Sequence, residues 1–122
     1  MRQRVLFVCY PKCTTCQKAQ KWLDRNGIAY ELRNIKDQNP TEIELKDWLV
    51  KSNEPVRKFF NTSGLLYRSL GLKDKLPTMS EAEQLSLLAT DGMLVKRPLL
   101  VAGNTVLAGF KEAEWEGLIR QT

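Results

Sequence analysis

Two cysteines three residues apart, Cys13-Thr14-Thr15-Cys16, follow closely on a short apolar run and open a helical pattern, a setting that constrains the chain more than any other feature. Val5-Leu6-Phe7-Val8-Cys9 is continuously apolar, as expected of a strand buried on both faces of a sheet. Tyr10-Pro11 breaks it. From about Thr14 to Asn26, Ala19, Trp22 and Leu23 fall at i, i+3 and i+4 on one face of a helix. Gly27 stands where a left-handed C-cap residue belongs. Ile28, Tyr30 and Leu32 then alternate with Ala29, Glu31 and Arg33, which predicts a strand near a sheet edge. Strand, helix and strand within about 30 residues make a βαβ unit, with two parallel strands and a right-handed crossover.

The middle of the chain reads as helical. Asn39-Pro40 makes a turn, Thr41-Glu42-Ile43-Glu44 fits a capping box, and Ile43 or Leu45, with Trp48 and Leu49, supplies a buried face. Asn61-Thr62-Ser63-Gly64 interrupts the pattern before Leu65, Leu66 and Leu70. Ser80-Glu81-Ala82-Glu83 is a second capping box, and Ala82, Leu85, Leu88 and Ala89 give the next helix its stripe, closed by Asp91-Gly92. Strand character returns after Arg97-Pro98: Leu99-Leu100-Val101 and Thr105-Val106-Leu107 flank Gly103-Asn104, a hairpin signal. A last helix runs from Lys111 to Gln121 with Trp115, Leu118 and Ile119 inward. The order is βαβ, helices, then ββα. No linker or repeat divides it, so residues 1–122 are expected to form a single domain with a helical insertion at about 40–92.

Composition removes several function classes. The chain has no histidine, which excludes Cys–His and Ser–His–Asp catalysis and histidine metal sites. Three cysteines make neither a disulfide framework nor a closed zinc site, which takes four ligands, and no metal is expected. The net charge is +5, but 19 basic residues are interleaved with 14 acidic ones and no four basic residues are consecutive. That is a solvated surface, and no direct nucleic-acid binding is expected. No apolar run approaches the roughly 18 residues a membrane span needs. The run after Met1-Arg2-Gln3-Arg4 is too short for a signal-peptide core. A cytoplasmic monomer is the expectation.

The chemistry follows from where the motif sits. Cys13 falls at or just before the first helical residue, so unpaired N–H groups and the positive end of the helix dipole favour its thiolate. Cysteines in such motifs have pKa values from about 3.5 to 7.5. A disulfide needs Cα atoms roughly 4.4 to 6.8 Å apart, which residues i and i+3 of a first turn satisfy. Cys13, the more exposed, is the expected nucleophile; Cys16, one turn inside, is the expected resolving thiol. So short a loop suits reversible chemistry better than stability. Cys9 ends the buried strand and reads as a core filler. Lys12 either lowers the pKa of Cys13 further or is a solvated side chain. Arg97-Pro98 opens a strand where no ladder N–H is lost. Its functional reading is that this loop faces the cysteines and Arg97 offers charge to an oxyanion or thiolate.

Three segments carry a family resemblance: Tyr10-Pro11-Lys12-Cys13-Thr14-Thr15-Cys16-Gln17-Lys18-Ala19 with Trp22-Leu23; Phe59-Phe60-Asn61-Thr62-Ser63-Gly64 with Tyr67-Arg68 and Leu70-Gly71-Leu72; and Asp91-Gly92-Met93-Leu94-Val95-Lys96-Arg97-Pro98-Leu99. Together they resemble the glutaredoxin-coupled arsenate reductase family and its sister group, the Spx/MgsR regulators. The resemblance implies an α/β, thioredoxin-like fold with a central mixed sheet and a helical insertion, and a cis-proline at Pro98 opposite the active site. It implies a nucleophilic cysteine at Cys13 and three arginines around the arsenate oxyanion. Arg97 matches one of these, while Asn61 and Gly109 stand at the other two positions. Charge-assisted contacts contribute about 1.5–3 kcal/mol each, so their loss implies weak arsenate binding.

In reductases of this kind the electrons come from glutathione and glutaredoxin, and no cysteine is needed at the position of Cys16. The regulators carry Cys-x-x-Cys as a redox switch and bind the RNA polymerase α subunit; residues important at that surface are matched here by Pro55 and Ser63. The leading expectation is a thiol-disulfide oxidoreductase or redox-responsive protein using the Cys13 nucleophile. It would act on a thiol/disulfide protein or small molecule, with no bound cofactor and with glutathione, glutaredoxin or thioredoxin as reductant. A polymerase-binding regulator comes second and a genuine arsenate reductase third.

Overall fold

In a computed structural model of the chain, which describes residues 4–120 apart from the side chains of Ile119 and Arg120, the first strand, β1, spans Val5–Cys9. Helix α1 covers Thr14–Arg25 and β2 covers Glu31–Asn34. Four helices follow: α2 (Glu42–Ser52), α3 (Leu65–Ser69), α4 (Leu72–Lys75) and α5 (Glu81–Leu88). The chain closes with β3 (Leu99–Ala102), β4 (Thr105–Ala108) and α6 (Glu112–Arg120). Tight 3-10 turns at Val56–Phe59, Leu76–Thr78 and Gly92–Leu94 join the middle helices. The predicted inward face of Ile119 and the helix end at Gln121 lie outside the described residues.

The strands form one mixed sheet in the order β2-β1-β3-β4. β1 runs parallel to β2 and antiparallel to β3, and β3 pairs antiparallel with β4 across the Gly103-Asn104 turn. This is a thioredoxin-like fold. β1 lies inside the sheet, which accounts for its unbroken apolar run: Phe7 and Cys9 face one side and Val8 the other. On the first side, α1 and α6 pack Ala19, Trp22, Leu23, Trp115 and Leu118 against the strands. On the other, α2, α4 and α5 bring Leu45, Trp48, Leu49, Leu72, Leu85 and Leu88. No helix among the described residues is long and apolar enough to cross a membrane.

Local chemistry set the helix boundaries. Thr41 and Ser80 each cap a helix through a complete capping box with Glu44 and Glu83. Gly27 has φ +65°, the left-handed turn that ends α1. Two sequence expectations change and one open alternative, Ile43 or Leu45, is settled. The second strand begins at Glu31, not Ile28, because its pairing with β1 starts at Leu6↔Glu31, and Leu32 on this edge strand is 52% exposed. In α2 it is Leu45, not Ile43, that joins Trp48 and Leu49; Ile43 is 83% exposed. In α5 the buried stripe takes Gln84 while Ala82 is exposed. The Gln84 amide donates to the carbonyls of Leu76 (3.3 Å) and Met79 (3.1 Å), so it anchors the preceding turn.

Candidate active site

The turn that ends β1 builds the site. The Cys13 amide donates to the Tyr10 carbonyl at 2.9 Å, and the Gln17 side chain donates to the Pro11 carbonyl at 2.9 Å, pinning the turn to α1. Cys13 occupies the N-cap in an extended conformation (φ −85°, ψ 123°), and its own carbonyl accepts from the Gln17 amide. A serine or aspartate there would satisfy a first-turn N–H with its side chain. Cys13 makes no such bond, which leaves these donors available near its half-buried sulfur.

One turn further in, Cys16 is 1% exposed, and its sulfur accepts from the Tyr10 amide at 3.3 Å. Cys9 is 3% exposed and lies on the α1 side of the sheet by strand alternation, since it shares the face of Phe7. The Cys16 thiol hydrogen-bonds to the Cys9 sulfur. That bond, reinforced by burial, pushes the Cys16 pKa up. The same bond lowers the pKa of Cys9 against the opposing effects of burial and the nearby Cys13 charge. Cys13 packs against the same buried cluster, so the three free thiols lie together. Among the described residues no group of three His, Cys, Asp or Glu side chains is arranged to hold a metal ion.

The register Val8↔Leu99 places Pro98 level with Cys9, at the same end of the sheet as the cysteine turn. The Arg97–Pro98 peptide bond is cis, Pro98 is buried, and its carbonyl accepts from the Gly109 amide at 2.8 Å. The Arg97 guanidinium lies over the Tyr10 ring, 5.3 Å from its centroid. Its Nε and Nη1 are buried and have no hydrogen-bond partner within the protein. Arg97 is thus joined to the cysteine turn through Tyr10.

Lys12 is exposed and forms no ion pair among the described residues. Asn61 pairs with the segment before Arg97, its amide donating to Leu94 at 2.8 Å. Gly109 has φ +80° and lies against Lys96. The structure therefore joins Cys13, Cys16, Arg97 and Pro98 in one region and leaves Lys12 on its rim. Sequence reasoning missed the contact of Cys9 with Cys16; the even spacing from Phe7 to Cys9 gave only the face on which Cys9 lies.

The family model described as the ArsC family matches residues 9–118. Among curated proteins, YusI of Bacillus subtilis (strain 168) is 54% identical over 110 residues, covering 90% of this chain and 93% of its own. The regulatory protein MgsR of the same organism is 31% identical over 114 residues, covering 93% of this chain and 89% of its own. Among solved structures, an ArsC family related protein from Bacteroides fragilis superposes with a TM-score of 0.93 at 58% identity, over 97% of this chain and 99% of that one.

Proposed function

The chain belongs to the ArsC family, and from that premise we propose that it is a thiol-disulfide oxidoreductase or redox-responsive protein working through Cys13 and Cys16. The observation that carries this reading is the pairing of a half-buried Cys13 at the α1 N-terminus with a buried Cys16 hydrogen-bonded to it. Cys13 attacks one sulfur of a disulfide in a protein or small molecule, forming a mixed disulfide and releasing the other half as thiolate. Cys16 then attacks the Cys13 sulfur, releases the bound half and closes the Cys13–Cys16 bond. Glutathione, glutaredoxin or thioredoxin returns the pair to dithiol.

Arg97 supports the anionic thiolate or an anionic group on the substrate, because its guanidinium lies over Tyr10 of the cysteine turn with two buried donors unpartnered. Lys12 adds positive potential at the rim, and Pro98 lines the site beside the cysteines. The setting is cytoplasmic, in a single domain that acts as a monomer. Trapping tests the assignment: incubated with a disulfide, Cys16→Ser accumulates mixed disulfides on Cys13 that mass spectrometry detects, whereas Cys13→Ser forms none. Mixed disulfides on Cys16 in the Cys13→Ser protein would reverse the roles.

The similarity to MgsR supports a second reading, a redox-responsive transcription regulator that binds the RNA polymerase α subunit. The same disulfide would be its switch. Co-purification with polymerase that depends on the oxidation state of Cys13 and Cys16 is its test.

A further inference from the structure

Cys9 has no part in a two-cysteine cycle, yet its thiol meets Cys16 in the core. We propose that Cys9 is a third redox thiol, which takes the disulfide over from Cys13 and stores it as a buried Cys9–Cys16 bond. The proposal rests on the oxidoreductase reading and extends it.

Strand and helix geometry create the arrangement. Cys9 is the last residue of β1 and faces α1, Cys16 projects back from the first turn of that helix, and Cys13 caps it. Cys9 and Cys16 are buried in one cluster with Cys13 packed against it, and Cys16 interacts with both of the other thiols. Thiol-disulfide exchange takes place by attack of a thiolate on a disulfide sulfur, with the other sulfur leaving. A cluster of three thiols supplies nucleophile, centre and leaving group from one chain. Proximity of this kind replaces a bimolecular encounter.

The steps balance. Oxidised glutathione reacts with the Cys13 thiolate to give a mixed disulfide and one glutathione thiolate. Cys16 displaces the second glutathione, so two protein thiols are oxidised and one glutathione disulfide is reduced to two thiols. The Cys9 thiolate then attacks the Cys16 sulfur. The Cys9–Cys16 bond forms, the Cys13–Cys16 bond breaks, and Cys13 leaves as thiolate. This last step changes no oxidation state, and a proton lost by Cys9 passes through solvent to the displaced glutathione. Burial enforces the order: at 3% and 1% exposure, Cys9 and Cys16 are out of reach of a tripeptide disulfide, and oxidation enters through Cys13. The outcome is a protein that keeps one disulfide in its core and again offers a reactive Cys13, now with no partner able to resolve it. A second oxidised glutathione, or a substrate disulfide, then reacts with Cys13 to leave a lasting mixed disulfide and release its other half as thiolate.

Timed oxidation of the whole chain with oxidised glutathione tests this, with acid quenching, alkylation and peptide mapping of each sample. The Cys13–Cys16 bond should appear first, and the Cys9–Cys16 bond later, reaching at least about a tenth of the oxidised protein. In Cys13→Ser the Cys9–Cys16 bond should form at least about a hundredfold more slowly, and Cys9→Ala should stop at the Cys13–Cys16 bond. If Cys9 remains a free thiol in every sample while Cys13–Cys16 forms, the relay is wrong and the two-cysteine reading stands. Cys9–Cys16 forming equally fast in Cys13→Ser also overturns the relay. Absence of both bonds in the unmodified chain overturns the relay and the reading beneath it.

Discussion

Burial alone pushes a thiol toward its protonated form. Cys16 follows that rule, while Cys9, equally buried, goes the other way because Cys16 donates to it. Accessibility then decides which thiol meets a reagent. In the native reduced protein a bulky maleimide should modify Cys13 at least about tenfold faster than Cys16 or Cys9, read by peptide mapping at partial labelling; faster labelling of Cys16 would contradict the assignment of roles. The placement of Cys13 and Cys16 was legible because i, i+3 spacing at a helix start has few geometric solutions. The contact of Cys9 was hidden by its place in an apolar run, where a cysteine and a valine look alike. The link from Arg97 to Tyr10 is long-range, and spacing along the chain carries no trace of it.

At the scale of elements, one ion pair fastens the second strand to the helix that follows. The Arg33 guanidinium meets Glu44 in a bidentate pair, at 2.6 and 2.9 Å, while Glu44 also caps α2 through Thr41. The hydrogen bonds from Arg33 hold the Glu44 carboxyl down at about 2. A lowered carboxyl pKa contributes stability above the ordinary value near 4.5 and loses it as the pH falls toward 2. Partial exposure discounts the pair, so Glu44→Gln should cost about 1–2 kcal/mol at pH 7. The variant should also flatten the loss of stability between pH 5 and 2 in denaturant titrations. A parallel acid profile for both proteins would show that the pair contributes nothing.

Capping boxes made both helix starts readable, since they depend on adjacent residues. The edge strand and the buried Gln84 were not, because each depends on a partner distant in sequence: β1 fixes where β2 begins, and the carbonyls of Leu76 and Met79 turn a polar residue inward.

For the whole molecule, the order βαβ, helices, ββα was legible because each element has its own local signal. The two-sided packing followed from the apolar β1. Against the arsenate reductase pattern that the resemblance implies, Arg97 is present while Asn61 and Gly109 stand at the positions expected for two arginines. Gly109→Arg would not restore the site at no cost: at φ +80°, with the Lys96 side chain 3.0 Å from an added Cβ, the change should destabilise the fold by about 1–2 kcal/mol. Thermal or denaturant melts check this, and an unchanged stability would show that the turn tolerates a side chain. The most direct test of the central claim is turnover of a low-molecular-weight disulfide and of arsenate, side by side, with glutathione, glutaredoxin or thioredoxin in excess. The account predicts disulfide turnover that vanishes in Cys13→Ser and little or no arsenate turnover. Efficient arsenate reduction without disulfide turnover would contradict it.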